Sequence, residues 1–214
     1  MAALAQHKQG WRHPFRTLTE LMALAESLQP PTRPRLRPVT TLITGQKGQG
    51  KTALAGSVAR ALQSRGYNVA GILALGLWKD GIRSGFDIVD IQSGESAPLA
   101  RRHGASDVRA GSFAFMPDGF RLGEQALRPE KLAKAEAIMI DEVGAWELQG
   151  GGWAPALDKL AELPKKATIL VVRDIFADDA AGRWGGGTTL RFPVPQSTPE
   201  QVCAALYEAP RPER

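Results

Sequence analysis

The sequence predicts an α/β fold, a mainly parallel β-sheet with helices on both faces, preceded by a helical N-terminal extension. Three observations lead there. Short, mainly apolar runs at 39–44, 69–75, 137–140 and 167–172 have the composition of strands covered on both faces. Stretches of helical periodicity separate them, as crossover connections between parallel strands require. A glycine-rich turn, Gly45-Gln46-Lys47-Gly48-Gln49-Gly50, joins the first run directly to the first helical stretch.

Taken in order, 39–44 is a strand, 51–65 a helix and 69–75 a second strand. Residues 86–91 alternate like a half-buried strand, and 112–116 is a further strand candidate. A helix is expected over 127–135, a buried strand over 137–140 and a helix over 154–163. Strands at 167–172 and 189–194 and a helix at 199–207 complete the series. The glycine triplets 150–152 and 185–187 read as loops.

Residues 39–214 therefore form one domain, and 1–38 form an extension. In the extension Phe15, Leu18, Leu21, Met22, Leu24, Ala25 and Leu28 recur at helical spacing, with Pro14 near the helix start. Pro30, Pro31, Pro34 and Pro38 end that helix and stiffen the linker to the body. The net charge of +5 resides mostly here. Residues 1–40 carry Lys8, Arg12, Arg16, Arg33, Arg35 and Arg37 against Glu20 and Glu26, whereas the rest of the chain is nearly balanced. The body thus lacks the interleaved basic and aromatic residues of a nucleic-acid face, and no nucleic acid is expected. The basic helix packs on the body, engages a partner protein or serves as an organelle-targeting segment, against which Glu20 and Glu26 count. No apolar run reaches the roughly 18–20 residues that span a bilayer, so no membrane is expected. The start has no secretory pattern, and a cytoplasmic location is the default. A single cysteine, Cys203, forms no internal disulfide, and His7, His13 and His103 show no ligand spacing.

Chemistry enters at the glycine-rich turn. Gly45, Gly48 and Gly50 let the backbone curl so that several N–H groups face one anion. Lys51 follows as a point charge for β- and γ-phosphates, and the Thr52 hydroxyl is placed to ligate Mg²⁺. The helix opening through Lys51, Thr52 and Ala53 adds its positive dipole end. A nucleotide is therefore expected on Gly45, Gln46, Lys47, Gly48, Gln49, Gly50, Lys51, Thr52 and Ala53 (a Walker A element). The second motif is Ala137-Ile138-Met139-Ile140-Asp141-Glu142, an apolar strand delivering two acids at its end (a Walker B element). Asp141 suits the hydration shell of Mg²⁺, which takes carboxylates and waters. Glu142 suits activation of the attacking water, although a capping or surface acid at this place has the same sequence.

Three segments together resemble the small nucleoside-triphosphate phosphatases of archaea, bacteria and animals, among them the cancer-related nucleoside triphosphatase. They are the phosphate loop; Gly81-Ile82-Arg83-Ser84-Gly85-Phe86-Asp87-Ile88-Val89-Asp90-Ile91; and Ile140-Asp141-Glu142-Val143-Gly144-Ala145-Trp146-Glu147-Leu148. The second is similar to the family's Gly-x-Arg-x-Gly-Phe-Asp signature, the third to its Asp-Glu-Ile-Gly-x-Met-Glu-Leu. The likeness implies a P-loop NTPase fold, a RecA-like or kinase-like three-layer sandwich. It also implies slow Mg²⁺-dependent hydrolysis of nucleoside 5'-triphosphates such as ATP and GTP, with low base selectivity. By position Arg83 matches the signature arginine, and a guanidinium near the γ-phosphate stabilises charge spreading over its oxygens. The alternative for Arg83 is an ion pair within a hairpin, for instance to Asp87. This chain departs from the family at Ala74-Leu75-Gly76-Leu77-Trp78, where relatives carry a Thr-x-Glu or Thr-Glu-Glu-x-Arg stretch. Trp146 stands for the usual Met, and the extension 1–38 has no counterpart in minimal members.

Two weaker constellations complete the reading. Arg183-Trp184 precede the second glycine triplet, where they would stack on a base or form a surface turn. Arg173-Asp174 end a strand at the expected phosphate edge, as a γ-phosphate sensor or a surface pair. Two other function classes share the phosphate loop. One is a nucleotide-dependent binding or accessory protein with weak or no hydrolysis, and the other a small-molecule kinase.

Overall fold

A computed structural model describes residues 33–102, 109–110, 112–160 and 163–208. The helix expected at 14–28, most of the extension and the three histidines lie outside the described residues. The expected strands form the centre of one sheet. β1 (Thr40–Gly45), β2 (Val69–Lys79), β3 (Ile82–Asp90), β4 (Ser96–Arg101), β5 (Arg109–Ala110), β6 (Phe113–Phe115), β7 (Ala137–Val143), β8 (Ala167–Arg173) and β9 (Thr189–Pro193) follow in chain order. Their spatial order is β5-β6-β4-β3-β2-β7-β8-β1-β9. The run β2-β7-β8-β1-β9 is parallel throughout. Strands β3, β4, β6 and β5 extend it antiparallel beyond β2.

Alternation along the central strands assigns the helices to two faces, since successive side chains point to opposite sides. Ile43, Met139, Ile169 and Val171 pack with Leu54, Val58 and Leu62 of α1 (Lys51–Ser64). Val202 and Leu206 of α7 (Pro199–Leu206) join the same cluster. Leu42, Ile138, Ile140 and Leu170 point the other way. They meet α2 (Pro117–Ala126), α3 (Pro129–Lys134), α5 (Ala154–Leu160) and α6 (Ala177–Trp184) through Leu122, Leu132, Leu157 and Ala180. Each fully buried Leu or Ile here stabilises the sandwich by about 1.5–3 kcal/mol. A short helix, α4 (Ala145–Leu148), follows β7. Three helices open with proline, which suits a first turn whose N–H is unpaired in any case. Thr198 and Gln201 cap α7 reciprocally.

The segment just before β1 pairs with the end of α7. Arg37 N–H donates to Leu206 O at 2.8 Å, and Glu208 N–H donates to Arg35 O at 2.8 Å. Tyr67 Oη donates to Pro34 O. Among the described residues, no helix is long and apolar enough to cross a membrane.

Two features of this sheet position the site. β8 lies between β1 and β7, so Gly45, Arg173 and the acids ending β7 emerge side by side on one edge. β2 pairs with β7 only over Val69–Ile72 and then runs on, paired with β3 alone. The β2–β3 hairpin therefore stands above that same edge.

Candidate active site

The phosphate loop begins where β1 ends. Gly48 and Gly50 have φ of 84° and 93°, values that side chains with a Cβ adopt at a cost. Gly50 is the N-cap of α1 and brings no side-chain cap, so the first amides of the helix stay open toward the loop. Gln46, Lys47, Gly48, Gln49, Gly50 and Ala53 are exposed, and Gly45 is buried. The Gln49 side chain folds back, its Oε1 accepting Gln46 N–H at 2.7 Å. Lys51 is half-buried and its Nζ donates to Gln46 O at 2.8 Å. Burial pushes the Lys51 amine below its usual range, while the charges of Glu142, Asp141 and Asp174 pull it back up. Those carboxylates, and the Arg173 guanidinium opposing them, are thus within electrostatic reach of Lys51.

Asp141 is 1% exposed. Its carboxylate accepts Ala74 N–H at 3.1 Å and Glu142 N–H at 2.8 Å, and the Thr52 hydroxyl lies close enough to help hold it ionised. Burial, then the neighbouring Glu142 charge, holds this carboxyl well above the usual carboxylate range. A buried carboxylate beside a hydroxyl at the head of a helix is an all-oxygen donor set. It fits a small hard cation that keeps most of its waters, and so fits Mg²⁺. Among the described residues no group of three or more His, Cys, Asp and Glu gathers into a cage of the kind zinc takes.

Glu142 stands in a bulge. Ile140 pairs with Leu170 and Val143 with Val172, so Asp141 and Glu142 together face one residue of β8. Glu142 has φ of 60°, one of two non-glycine residues at positive φ among those described. The bulge sends Asp141 inward and leaves the Glu142 side chain 43% exposed. Across from it lies Arg83, whose Nη1 is 3.8 Å from Glu142 Oε1. Asp87, the alternative partner for Arg83, is taken by Arg101 at 2.6 Å.

Sequence reasoning missed one acid. Glu147 is 5% exposed; its Oε2 accepts Gly144 N–H at 2.9 Å and its Oε1 accepts Trp153 N–H at 3.4 Å. Burial raises its ionisation above the usual range. It is the peg that fixes the loop after Glu142, and the signal for it was its place three residues after Gly144, a capping-box spacing. Arg183 and Trp184 stand elsewhere. They precede β9, whose first residue Thr189 pairs with Thr40 at the start of β1, the edge opposite the phosphate loop. Arg183 Nη2 is 2.9 Å from Asp158 Oδ2, and Trp184 Nε1 donates to Asp158 Oδ1 at 2.7 Å. Arg173 lies at the phosphate edge as expected, in register with Gly45 and over the Phe176 ring rather than paired with Asp174.

A parallel sheet with a glycine loop at the head of α1 and an acid pair two strands away defines the P-loop class of α/β proteins. The NTPase family model matches residues 40–180, and the chain belongs to that family. Nucleoside-triphosphatase THEP1 of Methanopyrus kandleri is 31% identical over 134 residues, 63% of this chain and 73% of that protein. Its counterpart in Methanocaldococcus jannaschii is 32% identical over 130 residues, 59% and 75% of the two chains. The solution structure of a human cancer-related nucleoside triphosphatase superposes with a TM-score of 0.60 at 21% identity, over 78% of this chain and 94% of the other. The crystal structure of THEP1 from Aquifex aeolicus gives 0.55 at 21% identity with the same coverage. These two likenesses carry the fold, which agrees with the parallel three-layer sandwich expected from the sequence.

Proposed function

We propose that this chain is a cytoplasmic Mg²⁺-dependent enzyme that hydrolyses nucleoside 5'-triphosphates, ATP and GTP among them, to diphosphate and phosphate. Low base selectivity is part of the reading, because the residues gathered at this edge address phosphates and not a base. The observation that carries it is the adjacency of the loop 45–52 and the acids 141–142, whose charges act on Lys51 at the head of α1.

The open amides of the loop and of α1 receive the β- and γ-phosphates, and Lys51 exchanges the Gln46 carbonyl for phosphate oxygen. Thr52 and Asp141 would hold Mg²⁺, which when bound would supply Lewis-acid polarisation of the phosphoryl oxygens. Glu142 orients the attacking water and takes its proton as the oxygen–phosphorus bond forms and the β–γ bridging bond breaks. Arg83 offsets the negative charge growing on the γ-phosphoryl oxygens. In the described arrangement Arg83 faces Glu142 and Lys51 rests on the loop, so both cations turn to phosphate only when nucleotide arrives.

Single-turnover hydrolysis of γ-labelled nucleotide tests the assignment. Glu142→Gln retains nucleotide binding while turnover falls by about 10²–10⁴, and unchanged turnover removes Glu142 from the mechanism. Phosphate release no faster than in Lys51→Ala refutes hydrolysis altogether, and label recovered on a small acceptor assigns a kinase. A second reading, a nucleotide-dependent binding protein, draws support from Leu75, Trp78 and Ile82, large apolar side chains exposed on the hairpin above the site. It predicts tight binding with no labelled phosphate released.

A further inference from the structure

Arg83 is held in an unusual way. Its side chain is 13% exposed, and its Nε is buried with no hydrogen-bond partner. The guanidinium carbon lies 4.7 Å from the centre of the Trp78 ring and 4.7 Å from that of Phe86, so it rests against two aromatic rings. Its ion pair is the long, 3.8 Å contact with Glu142. Nearby Arg101 shows what a structural arginine of this sheet does instead, bonding Asp87 at 2.6 Å and the Phe86 carbonyl at 2.6 Å.

The hairpin is built so that this slot can exist. Arg83 and Phe86 are three residues apart and in a regular strand would face opposite sides. A bulge resets the parity. Leu77 pairs with Gly85 and Trp78 with Arg83, which leaves Ser84 as the extra residue of β3. Trp78 opposite Arg83 and Gly76 opposite Phe86 then share one face. Gly76 is the floor: a Cβ there would lie 2.8 Å from the guanidinium carbon and 2.9 Å from both terminal nitrogens. Its φ is not in the left-handed region, so close approach and not backbone freedom requires glycine.

We propose that Trp78 and Gly76 are positioning residues for catalysis. With Phe86 they form a slot that presents the edge of Arg83 to the γ-phosphoryl group beside Glu142. The proposal rests on the role of Arg83 stated above. Contact with two rings restrains a guanidinium while consuming none of its N–H donors. The terminal N–H groups stay available for phosphoryl oxygens, which a bidentate carboxylate partner would prevent. Phe86 and Trp78 supply the walls of the slot and Gly76 its floor.

The test is a double-mutant cycle in single-turnover and steady-state hydrolysis, with thermal melts to verify folding. Trp78→Ala is expected to lower kcat about 3–10-fold with KM within about twofold, and Trp78→Phe to recover most of the loss. Trp78→Leu, which keeps apolar bulk without a π face, is expected to behave as the alanine variant does. Gly76→Ala is expected to fold, since the atoms it displaces end a flexible side chain, and to lower kcat comparably. In the Arg83→Ala background, Trp78→Ala is expected to add nothing. The proposal is overturned if Trp78→Ala slows the Arg83→Ala enzyme by the same factor as the unmodified one. It is equally overturned if Trp78→Leu and Gly76→Ala turn over normally while Arg83→Ala does not; either result leaves the role of Arg83 standing. An Arg83→Ala enzyme with full turnover removes that role, and the slot with it.

Discussion

Replacing Glu142 by glycine should make the nucleotide-free protein more stable while removing its turnover. Glu142 sits at φ of 60° in the bulge that ends β7. For a residue with a Cβ the left-handed region costs roughly 1–2 kcal/mol. Glycine removes that cost but gives the unfolded chain extra freedom, which offsets about 0.4–1 kcal/mol. A net gain of about 0.5–1 kcal/mol remains, worth roughly 1–4 °C in Tm for a chain of this size. Charge contributes separately, because the Glu142 carboxylate disfavours ionisation of buried Asp141. Glu142→Gln removes the charge and keeps the strained backbone, so the glycine-minus-glutamine difference isolates the dihedral term. Thermal melts of the three proteins without nucleotide or divalent cation, scored beside hydrolysis, measure both quantities. A glycine variant no more stable than the glutamine variant refutes the argument that strain is stored at this position. The strain lies at the residue proposed to handle water, where such conformations are commonly found.

Asp141→Asn should raise the Tm of the nucleotide-free protein at neutral pH. A carboxyl whose folded ionisation lies above its unfolded value favours the folded state at low pH. It loses that contribution as pH rises from about 4, where free aspartate ionises, through its own raised value. Melts across pH 4–8 should therefore show a decline with pH in the parent that is shallower in Asp141→Asn, and parallel curves would argue against the burial penalty. Lys51→Ala should weaken binding of a fluorescent triphosphate analogue by at least about tenfold, as loss of a charged contact implies, and equal affinity would remove Lys51 from the phosphate site. Gly152→Ala should cost about 2 kcal/mol or more. The new Cβ would lie 2.0 Å from Glu147 Oε1 at a backbone with φ of 53°, and denaturant titration can measure the loss. Removing residues 1–32 should preserve hydrolysis, whereas removal of 1–38 should also destabilise the fold, because Arg35 and Arg37 pair with the chain around α7.

The parallel half of the sheet was legible because its strands are buried on both faces, and a short apolar run such as Ile138-Met139-Ile140 is the composition such burial demands. The antiparallel half was less so. β4 has the sequence Ser-Ala-Pro-Leu-Ala-Arg and is half exposed, so its pattern carries little periodic signal. The helix α2 was missed because Pro-Asp-Gly reads as a turn; proline is in fact its first residue, and Gly123 lets Trp153 pack closely. At the site, the loop and the Asp-Glu pair were visible as local motifs with their own spacing. What remained hidden depended on contacts between distant segments. Nothing local told whether Arg83 would meet Asp87 or Glu142, because the bulge at Ser84 decides which face it occupies. Arg183 and Trp184 illustrate the reverse, since their composition suggested a base platform and the start of β9 placed them on the far edge.

The strand β2 also separates two selective pressures along one piece of backbone. Its first residues, Val69–Ile72, are tied into the ladder with β7 and answer to the core. Beyond them the strand has a single partner and overhangs the reaction edge. Substitutions in the overhang alter what hangs over the phosphates without touching the register of the parallel strands below. This layout marks 75–79 as the place where rate and selectivity can be retuned by design while the foundation is left alone.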